Sequence, residues 1–342
     1  MARMSRRRRI AVLAHPHCLP PDDYASLPYA EQLKYRTEAN VLEALDSLGH
    51  QIRVVPLEDE VLPLRKAVQE MRPHVAFNLI EEFHGAAVYD HNVVGYLELL
   101  RVPYTGCNPR GLVVARDKAL SKKILRYHHL PVPGFAVFRR RKAIKPPRHL
   151  QYPLIVKSLT EDASAGIAEA SVVRSAEKLV ERVQFVHENL QTPAIAEEYI
   201  DGRELYVGVL GRRRLTVLPI WEVSMRHLRP DAPRILTLRA KFDARFQDEH
   251  NLLIGPAEGL TDEQIRSLQR MSKRIYRALG LSGYARLDFR LDLEGRPFFI
   301  EANPNPDIAR DAEFAHSAEA AGYTYEQLIQ RIVALGLSSI EG

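Results

Sequence analysis

Two aromatic-rich segments near the end of the chain constrain its fold and chemistry most strongly. One reads YARLDFR and covers Tyr284 to Arg290, and the other reads FFIEANPNPD and covers Phe298 to Asp307. Each begins as an apolar run typical of a β-strand and then places side-chain oxygens where the strand meets a polar turn. Successive side chains of a strand point to opposite faces, so Glu301 and Asn303, two residues apart, share one face. The sequence therefore predicts two strands that present Asp288, Glu301 and Asn303.

These three side chains are suited to a hard metal ion. Two carboxylates and an amide oxygen, with no His or Cys nearby, are typical ligands of Mg²⁺. Magnesium that is held by only a few protein oxygens usually completes its coordination shell with phosphate oxygens. The alternative is a simple pair of strands whose acidic ends are solvated, and the spacing alone leaves both interpretations open. The metal interpretation predicts a phosphate-binding site elsewhere in the chain.

Composition excludes several classes of protein. The 342 residues are enough for two or three domains, and the apolar (46%) and charged (27%) fractions are ordinary for a globular protein. No apolar run approaches the roughly 20 residues that span a bilayer. Cys18 and Cys107 are too far apart for a CxxC metal site and too few for a disulfide framework, which predicts a cytoplasmic location. The run Arg6 to Arg9 inflates the net charge of +5; we interpret it as solvated and predict neither a nucleic-acid nor a membrane partner.

The first third of the chain alternates between strand and helix patterns, which predicts an open, mostly parallel sheet. The predicted elements are strand Ile10 to Ala14, helix Tyr29 to Leu48, strand Ile52 to Val55, helix Leu64 to Met71 and strand Val75 to Ile80. Ligands of such sheets gather beyond the carboxyl ends of the strands, where His84 lies. The alternative is that His84 is a solvated loop residue. No GxGxxG follows the first strand, so a dinucleotide site is disfavoured.

The middle third carries two candidate phosphate-binding lysines. Lys118 lies early in a predicted helix from Arg110 to Tyr127, and Lys157 lies in the apolar strand YPLIVKSL. A lone lysine in so apolar a strand is costly unless its charge meets an anion. The loop TEDASAG follows, and its small residues allow backbone N–H groups to approach phosphate oxygens. The loop lacks the GxxxxGKS spacing of a P-loop, so it is a weak signal alone.

The last third predicts a mixed, mainly antiparallel sheet with helices on one face. Arg203 to Leu210 and Leu215 to Trp221 form a predicted hairpin. Helix Thr261 to Leu279 begins with a capping box, with Thr261 as N-cap and Gln264 three residues later. A closing helix is predicted over Tyr325 to Leu335.

The order of these features resembles the ATP-grasp superfamily and, within it, the D-alanine–D-alanine ligase-like branch. The residues that carry the resemblance are Lys118, Lys157 with its small-residue loop, EEYIDGRE, RLDF and EANPNP. The similarity covers nearly the whole chain, from Ile10 to about Leu335. It implies an ATP-grasp fold that combines α/β and α+β parts: an N-terminal open parallel α/β domain (1–110), a central ATP-grasp subdomain (111–202) and a C-terminal ATP-grasp subdomain with the metal site (203–342).

The resemblance also implies a role for each matching residue. The implied nucleotide-binding residues are Lys118, Lys157, Glu197, Glu198, Tyr199, Ile200, Glu204 and Lys241. The lysines hold the phosphates, residues 197–200 form the hinge strand that reads adenine, and Glu204 accepts from the ribose hydroxyls. The implied magnesium ligands are Asp288, Glu301 and Asn303, and the implied catalytic residues are Arg286, Lys241 and Ser164. Arg286 stabilises the tetrahedral oxyanion in this scheme.

The implied chemistry is an ADP-forming ligation that uses ATP and Mg²⁺. The γ-phosphoryl group activates a substrate carboxylate, and an amine then attacks the acyl phosphate to form an amide. The protein contributes positioning and charge neutralisation, which suits a site of lysines, arginine and metal. The expected partners are small carboxylate and amine substrates such as amino acids or peptides, with a homodimer as a further expectation.

The amino-acid half of the site departs from the branch that it resembles. D-alanine ligases carry two serines in the phosphate loop, where this chain has Ala163 and Ser164, and a small residue where this chain has Asp307. A family glutamate after the first strand is matched by Glu31 only with shifted spacing. The candidate substrate residues are Glu31, His84, Asp307 and Arg310. Asp307 either selects a cationic or hydrogen-bond-donating substrate group or simply pairs with Arg310.

We therefore predict a carboxylate–amine ligase whose substrates are not two D-alanines. Three alternatives stay open at this point. The first is a cell-wall D-alanine–D-alanine ligase in spite of the changes. The second is a small-molecule kinase that stops after phosphoryl transfer, and the third is a non-catalytic nucleotide-binding protein.

Overall fold

The structure is a computed structural model. It describes residues 7–161, 166–224, 234–235 and 253–340. Two predicted catalytic residues, Ser164 and Lys241, lie outside the described residues. Within those ranges, no helix combines the length and apolar character needed to cross a membrane.

The N-terminal part is a three-stranded parallel sheet with helices packed around it. Its strands are β1 (Arg9–Ala14), β2 (Gln51–Pro56) and β3 (Val75–Asn78), in the order β2-β1-β3. Its helices are α1 (Tyr29–Gln32), α2 (Arg36–Ser47), α3 (Leu62–Met71) and α4 (Asp90–Leu99). The predicted parallel sheet is confirmed.

The prediction of one helix over Tyr29 to Leu48 was wrong, because the chain turns between α1 and α2. The N–H groups of Lys34 and Tyr35 donate to carbonyls only three residues back, which tightens the backbone and ends α1. The helix restarts at Arg36 in a new direction, and the Arg36 side chain forms an ion pair with Asp307. This long-range contact has no signature in the local pattern.

The predicted helix over Arg110 to Tyr127 is also two helices, α5 (Pro109–Arg116) and α6 (Lys118–Tyr127). Asp117 separates them, with φ −81° and ψ 99°. Its carboxylate accepts from the N–H groups of Ala119 and Leu120, both at 2.9 Å, and so caps α6. Lys118 is consequently the first residue of its own helix.

The central part is a four-stranded antiparallel sheet with one helix against it. Its strands are β4 (Phe135–Phe138), β5 (Leu154–Ser158), β6 (Val172–Val173) and β7 (Ala194–Glu198), in the order β4-β7-β5-β6. Helix α7 (Ala176–Asn189) begins at the N-cap Ser175 and packs its apolar side on this sheet.

The C-terminal part is a five-stranded antiparallel sheet. Its strands are β8 (Arg203–Gly211), β9 (Leu215–Ser224), β10 (Leu253–Pro256), β11 (Gly283–Leu291) and β12 (Pro297–Asn303), in the order β10-β9-β8-β11-β12. Its helices are α8 (Asp262–Ala278), α9 (Glu313–Ala320) and α10 (Tyr325–Leu337). The Thr261–Gln264 capping box is present as predicted, whereas α9 was not predicted.

A β-bulge in the β11–β12 pair sets the position of the predicted metal ligands. Asp288 lies opposite Glu301 and Arg286 lies opposite Asn303, but the register shifts by one residue after Asp288. Ile300 is the extra residue of the bulge, which increases the local twist of the strands. The two aromatic-rich segments are therefore the adjacent strands that the sequence predicted.

One apolar core joins the N-terminal and C-terminal sheets. It contains Leu13 from β1, Val94 from α4, Leu205 from β8 and Phe289 from β11. Each of the three sheets lies within one of the predicted ranges 1–110, 111–202 and 203–342, and the domain boundaries themselves stay a prediction. The parallel sheet and the two antiparallel sheets agree with the predicted α/β and α+β class.

Candidate active site

A pocket lies between the central and C-terminal sheets, lined by both charged and apolar side chains. Such a mixture of apolar walls and a few polar groups is typical of sites for small molecules and cofactors. The predicted site residues that line it are Lys118, Lys157, Glu197, Glu198, Tyr199, Ile200, Glu204, Asp288 and Glu301. The fold thus brings together residues from five separate stretches of the chain.

The apolar part of the pocket is lined by isoleucines. They are Ile155, Ile167, Ile235 and Ile300. The N–H groups of Glu198 and Tyr199 already donate to the carbonyls of Gly134 and Pro153. Within the described part of the chain, the Ile200 N–H makes no hydrogen bond. The Ile200 N–H is therefore available to a ligand in this pocket.

Two lysines and a glutamate form a buried charge cluster at the inner end of the pocket. The Nζ atoms of Lys122 and Lys157 lie 2.8 and 2.9 Å from the two carboxylate oxygens of Glu197. Lys122 is 0% exposed, and it also donates to the carbonyl oxygen of Ile300 in β12. One side chain of α6 thus connects the central sheet to the C-terminal sheet.

The cluster stays charged in spite of its burial. Burial alone raises the pKa of Glu197, but the ammonium groups of Lys122 and Lys157 outweigh it and hold that pKa below its ordinary value. Burial lowers the pKa of Lys122 to about 8, and contact with Glu197 opposes this shift. Buried charges persist when they are paired and hydrogen-bonded.

Glu198 has a supporting role that its sequence position did not reveal. Its carboxylate oxygens accept from the backbone N–H groups of Gly134 and Gln151, both at 3.1 Å. The side chain therefore ties two loops to the end of β7 and leaves the Glu198 backbone at the pocket.

The predicted metal ligands lie together at the mouth of the β11–β12 pair. The Asn303 amide donates to Asp288 Oδ2 at 3.0 Å, which leaves the Asn303 carbonyl oxygen as a ligand. Glu301 lies opposite Asp288, and its Oε2 is 3.4 Å from the Lys118 Nζ. Across the described ranges, no three His, Cys, Asp or Glu side chains are arranged to hold a metal. These donors fit a magnesium ion whose remaining ligands come from phosphate and water.

Arg286 lies beside the same carboxylate. Its Nε and Nη2 atoms donate to the two oxygens of Asp288 at 2.8 and 3.0 Å, and its guanidinium covers the Tyr206 ring at 4.5 Å. Burial lowers the pKa of Arg286, but the Asp288 carboxylate more than offsets this, so the pKa lies well above its ordinary value. Arg286 is therefore a permanent cation next to the metal ligands.

The region around Asp307 differs from the prediction. Arg310 does not pair with Asp307, because its guanidinium turns away to Glu326, at 3.1 Å, and covers the Tyr325 ring. Asp307 instead pairs with Arg36 at 2.6 Å and accepts from the Thr37 hydroxyl at 2.9 Å. Sequence spacing favoured the near neighbour, whereas the restart of the helix at α2 supplies the actual partner.

Arg36 holds a second carboxylate as well. Its Nη1 atom lies 2.9 Å from Asp311 Oδ2. Two carboxylates thus share one guanidinium, and the cluster has an excess of negative charge. Glu31 and His84, the other predicted substrate residues, have exposed side chains that make no hydrogen bond or ion pair among the described residues.

Comparisons with known proteins agree with this arrangement. Residues 124–334 match the family model described as the D-ala D-ala ligase C-terminus. The chain belongs to this family. Over 303 residues it is 31% identical to the uncharacterized protein y4sG of Sinorhizobium fredii, a match that covers 87% of this chain and 86% of that protein. Over 290 residues it is 28% identical to the D-alanine–D-alanine ligase of Pelotomaculum thermopropionicum, covering 82% and 86% of the two chains.

A solved structure shows the same fold. The D-alanine–D-alanine ligase of Bacillus anthracis in complex with ATP aligns with a TM-score of 0.75 and 23% identity, covering 98% of this chain and 99% of that one. The predicted ATP-grasp fold and the D-alanine–D-alanine ligase-like family are therefore confirmed. The protein is an ADP-forming ATP-grasp ligase of the carboxylate–amine class that uses ATP and Mg²⁺.

Sequence reasoning missed two residues of the ligase, Arg290, which lines the pocket, and Lys122, which is buried behind it and pairs with Glu197. Lys122 follows Lys118 by four residues, so on a helix both side chains lie on the same face. Arg290 follows Asp288 by two residues, so on a strand both point to the same side. Both signals were present in the sequence, but neither residue belongs to a recognised motif.

A third unpredicted residue of the ligase, Glu38, is buried on α2 with 7% of its surface exposed. Within the described residues it forms no ion pair. Burial, together with the nearby Glu81 and Asp307 carboxylates, raises the pKa of Glu38 to about 8, although a hydrogen bond from its own backbone N–H opposes the shift.

We expect Lys122→Met to lower the free energy of unfolding by about 3 kcal/mol, because removing one partner of a buried ion pair leaves the other charge poorly compensated. Equilibrium urea denaturation at pH 7 measures this. The control is Lys123→Met, which changes an exposed residue of the same helix and should cost less than about 0.5 kcal/mol. A loss below about 1 kcal/mol for Lys122→Met would contradict the structural role of the cluster.

We expect Glu38 to make the ligase less stable as the pH rises. The folded chain keeps the Glu38 proton up to about pH 8, whereas the unfolded chain releases it near its ordinary pKa of 4.5. Between these values unfolding releases a proton, so the free energy of unfolding falls by up to about 1.4 kcal/mol per pH unit. Glu38→Gln should remove this slope and stabilise the protein most at pH 8.

Urea denaturation at pH 5, 6, 7 and 8 tests the Glu38 prediction. The control is Glu31→Gln, which changes an exposed carboxylate close by in the chain. It should keep the slope of the wild type. Equal slopes for the wild type and Glu38→Gln would rule out a buried, protonated Glu38.

Proposed function

We propose that this ligase activates the carboxyl group of an amino acid or peptide as an acyl phosphate and joins it to an amine, with substrates other than two D-alanines. The observation that carries the proposal is that two regions of different composition lie next to each other. The pocket that contains Lys118 and Lys157, which we assign to the nucleotide, adjoins the proposed metal ligands of β11 and β12. The Arg36–Asp307–Asp311 cluster lies where the chain continues beyond β12.

The charges of the pocket support phosphoryl transfer. Lys118 and Lys157 line the pocket near Glu301, and each already lies beside a carboxylate. A bound triphosphate competes for these ammonium groups, so the lysines bind phosphate without being left unpaired when the pocket is free. Transfer of a phosphoryl group is catalysed mainly by positioning and by charge neutralisation of this kind.

The metal ligands and Arg286 support the carboxylate half of the reaction. We propose that Asp288, Glu301 and Asn303 hold Mg²⁺, which neutralises charge on the transferred phosphoryl group when bound. Arg286 is placed to stabilise the oxyanion that forms when the amine attacks the acyl phosphate, since fixed cations stabilise developing negative charge. Phosphate then leaves, and the amide product remains.

The Asp307 cluster supports a changed substrate. Asp307 already pairs with Arg36 and accepts a hydrogen bond from Thr37, so its carboxylate does not need a substrate cation as a partner. It holds Arg36 in place, and the unequal charges of Arg36, Asp307 and Asp311 favour an amine over an acid on this side. The rigid Arg36–Asp307 ion pair is larger than the small residue that D-alanine ligases carry at this position. The space left for a substrate therefore has a different shape.

A screen of acids crossed with amines tests the function. Purified protein is supplied with ATP and Mg²⁺, ADP release is recorded for each pair, and products are identified by mass spectrometry. We expect ADP release that needs both substrates, together with an amide product. D-alanyl-D-alanine as the best product would overturn the substrate proposal, and a phosphorylated product without any amine requirement would favour the kinase alternative.

We expect Asp288→Asn and Glu301→Gln to lower ADP release at least about 100-fold. Mutating even a residue that only supports a metal ligand typically lowers metal affinity or activity 10- to 100-fold. Each amide keeps the shape of the side chain but loses an anionic oxygen ligand. Binding of metal-free ATP should change little. Steady-state kinetics over a range of Mg²⁺ concentrations and calorimetric titration with ATP in EDTA measure the two effects.

The control for the metal variants is Glu294→Gln in the turn between the same two strands, where the side chain is 67% exposed. It should keep full activity and the wild-type dependence on Mg²⁺. Normal activity in either metal variant would remove that residue from the site. The roles of Ser164 and Lys241, the cytoplasmic location and the homodimer stay predictions from the sequence.

A further inference from the structure

The Arg290 side chain donates four hydrogen bonds at the pocket, and none of the predicted roles accounts for it. It is 6% exposed and lines the end of the pocket next to the hinge. Its Nη1 donates to Glu204 Oε2 at 3.0 Å and to the Arg234 carbonyl at 2.6 Å. Its Nε donates to the Ile200 carbonyl at 3.1 Å, and its Nη2 to the Tyr199 hydroxyl at 3.4 Å.

Glu204 lies directly opposite Arg290 in the β8–β11 register. The Tyr206 hydroxyl donates to its Oε1 at 3.1 Å, so each carboxylate oxygen accepts one hydrogen bond from the protein. An ionised carboxylate has about four acceptor positions, which leaves two for a ligand. The side chain lines the pocket and is 20% exposed there. Two fixed acceptor positions match a pair of neighbouring hydroxyl groups.

We propose that Arg290 is a positioning residue that fixes the Glu204 carboxylate for both hydroxyl groups of a ribose, so that the ligase selects ribonucleotides over 2′-deoxyribonucleotides. The inference rests on the proposed function in one respect, the placing of ATP in this pocket. A site built to hydrogen-bond a hydroxyl group rejects an analogue that lacks it, because a buried acceptor then stays unpaired.

The other contacts of Arg290 set the distance between base and sugar. The same guanidinium donates to the carbonyl of Ile200, a residue of the predicted adenine-reading segment, and to the carboxylate of Glu204. The rigid, planar fork of an arginine keeps such partners in a fixed geometry, which a flexible lysine does less well. Arg290 thus aligns two recognition points, one in the connection after β7 and one on β8.

Calorimetric titration of the full-length protein with ATP and with 2′-deoxy-ATP, both with Mg²⁺, tests the proposal without any acyl substrate. We expect the wild type to bind ATP at least about tenfold more tightly, as a charge-assisted hydrogen bond allows. Arg290→Met should weaken ATP binding about tenfold and 2′-deoxy-ATP binding less than about threefold, so that the preference disappears. Arg290→Lys should restore part of it.

The matched control is Arg203→Met. Arg203 lies in the same sheet and donates two hydrogen bonds to Glu222, at 2.8 and 2.6 Å, but it does not line the pocket. This variant should keep the wild-type preference. Adding Glu204→Gln to Arg290→Met should cause no further loss of preference, because both changes act on one contact.

Two results would overturn the proposal. One is an equal loss of affinity for ATP and 2′-deoxy-ATP in Arg290→Met, because this is the result expected if Arg290 has only a structural role. The other is a wild-type protein that binds both nucleotides equally. A wild type that binds neither nucleotide would overturn the nucleotide pocket and the proposed function as well. Far-ultraviolet circular dichroism of each variant, with Arg290→Lys as the milder change, separates loss of fold from loss of recognition.

Discussion

The antiparallel pairing of β11 with β12 is the constraint on which the rest of the site depends. The pairing sets Asp288 against Glu301 and Arg286 against Asn303, so that the three predicted metal ligands and Arg286 lie together on adjacent strands. The bulge at Ile300 then shifts the register, and Ile300 itself lines the pocket. Because side chains alternate along a strand, Arg286, Asp288 and Arg290 lie in one row. Each of the three can serve a different part of the bound substrates.

A second constraint is the compensation of buried charge. Lys118, Lys122 and Lys157 converge on the pocket, and their mutual repulsion is offset by Glu197 and Glu301. Lys122 never reaches solvent, so it serves as the permanent partner of Glu197. Lys157 can then exchange Glu197 for a phosphate without leaving a buried carboxylate alone, which would be strongly unfavourable.

The substrate side follows a different logic from the nucleotide side. Most of the predicted nucleotide and metal residues lie on or next to strands of the two antiparallel sheets, and Lys118 begins helix α6. The Arg36–Asp307–Asp311 cluster instead joins α2 of the N-terminal part to the loop beyond β12. The geometry of this cluster depends on how the N-terminal sheet packs on the C-terminal sheet. The residues on the substrate side can therefore change while the residues that bind ATP are kept.

The sequence by itself determined the fold class, because local periodicity and residue type encode it. It also singled out Asp288, Glu301, Asn303, Lys118 and Lys157 as candidate site residues, and the fold brings these side chains close together. It did not determine the break at Asp117, where a side-chain cap overrides a continuous helical pattern. It also did not reveal that Arg36 rather than Arg310 pairs with Asp307, nor that Lys122 reaches Glu197. These partners are separated by many residues in the chain and meet only when the sheets pack together. Local pattern specifies which side chains share a face, whereas tertiary packing alone decides which faces meet.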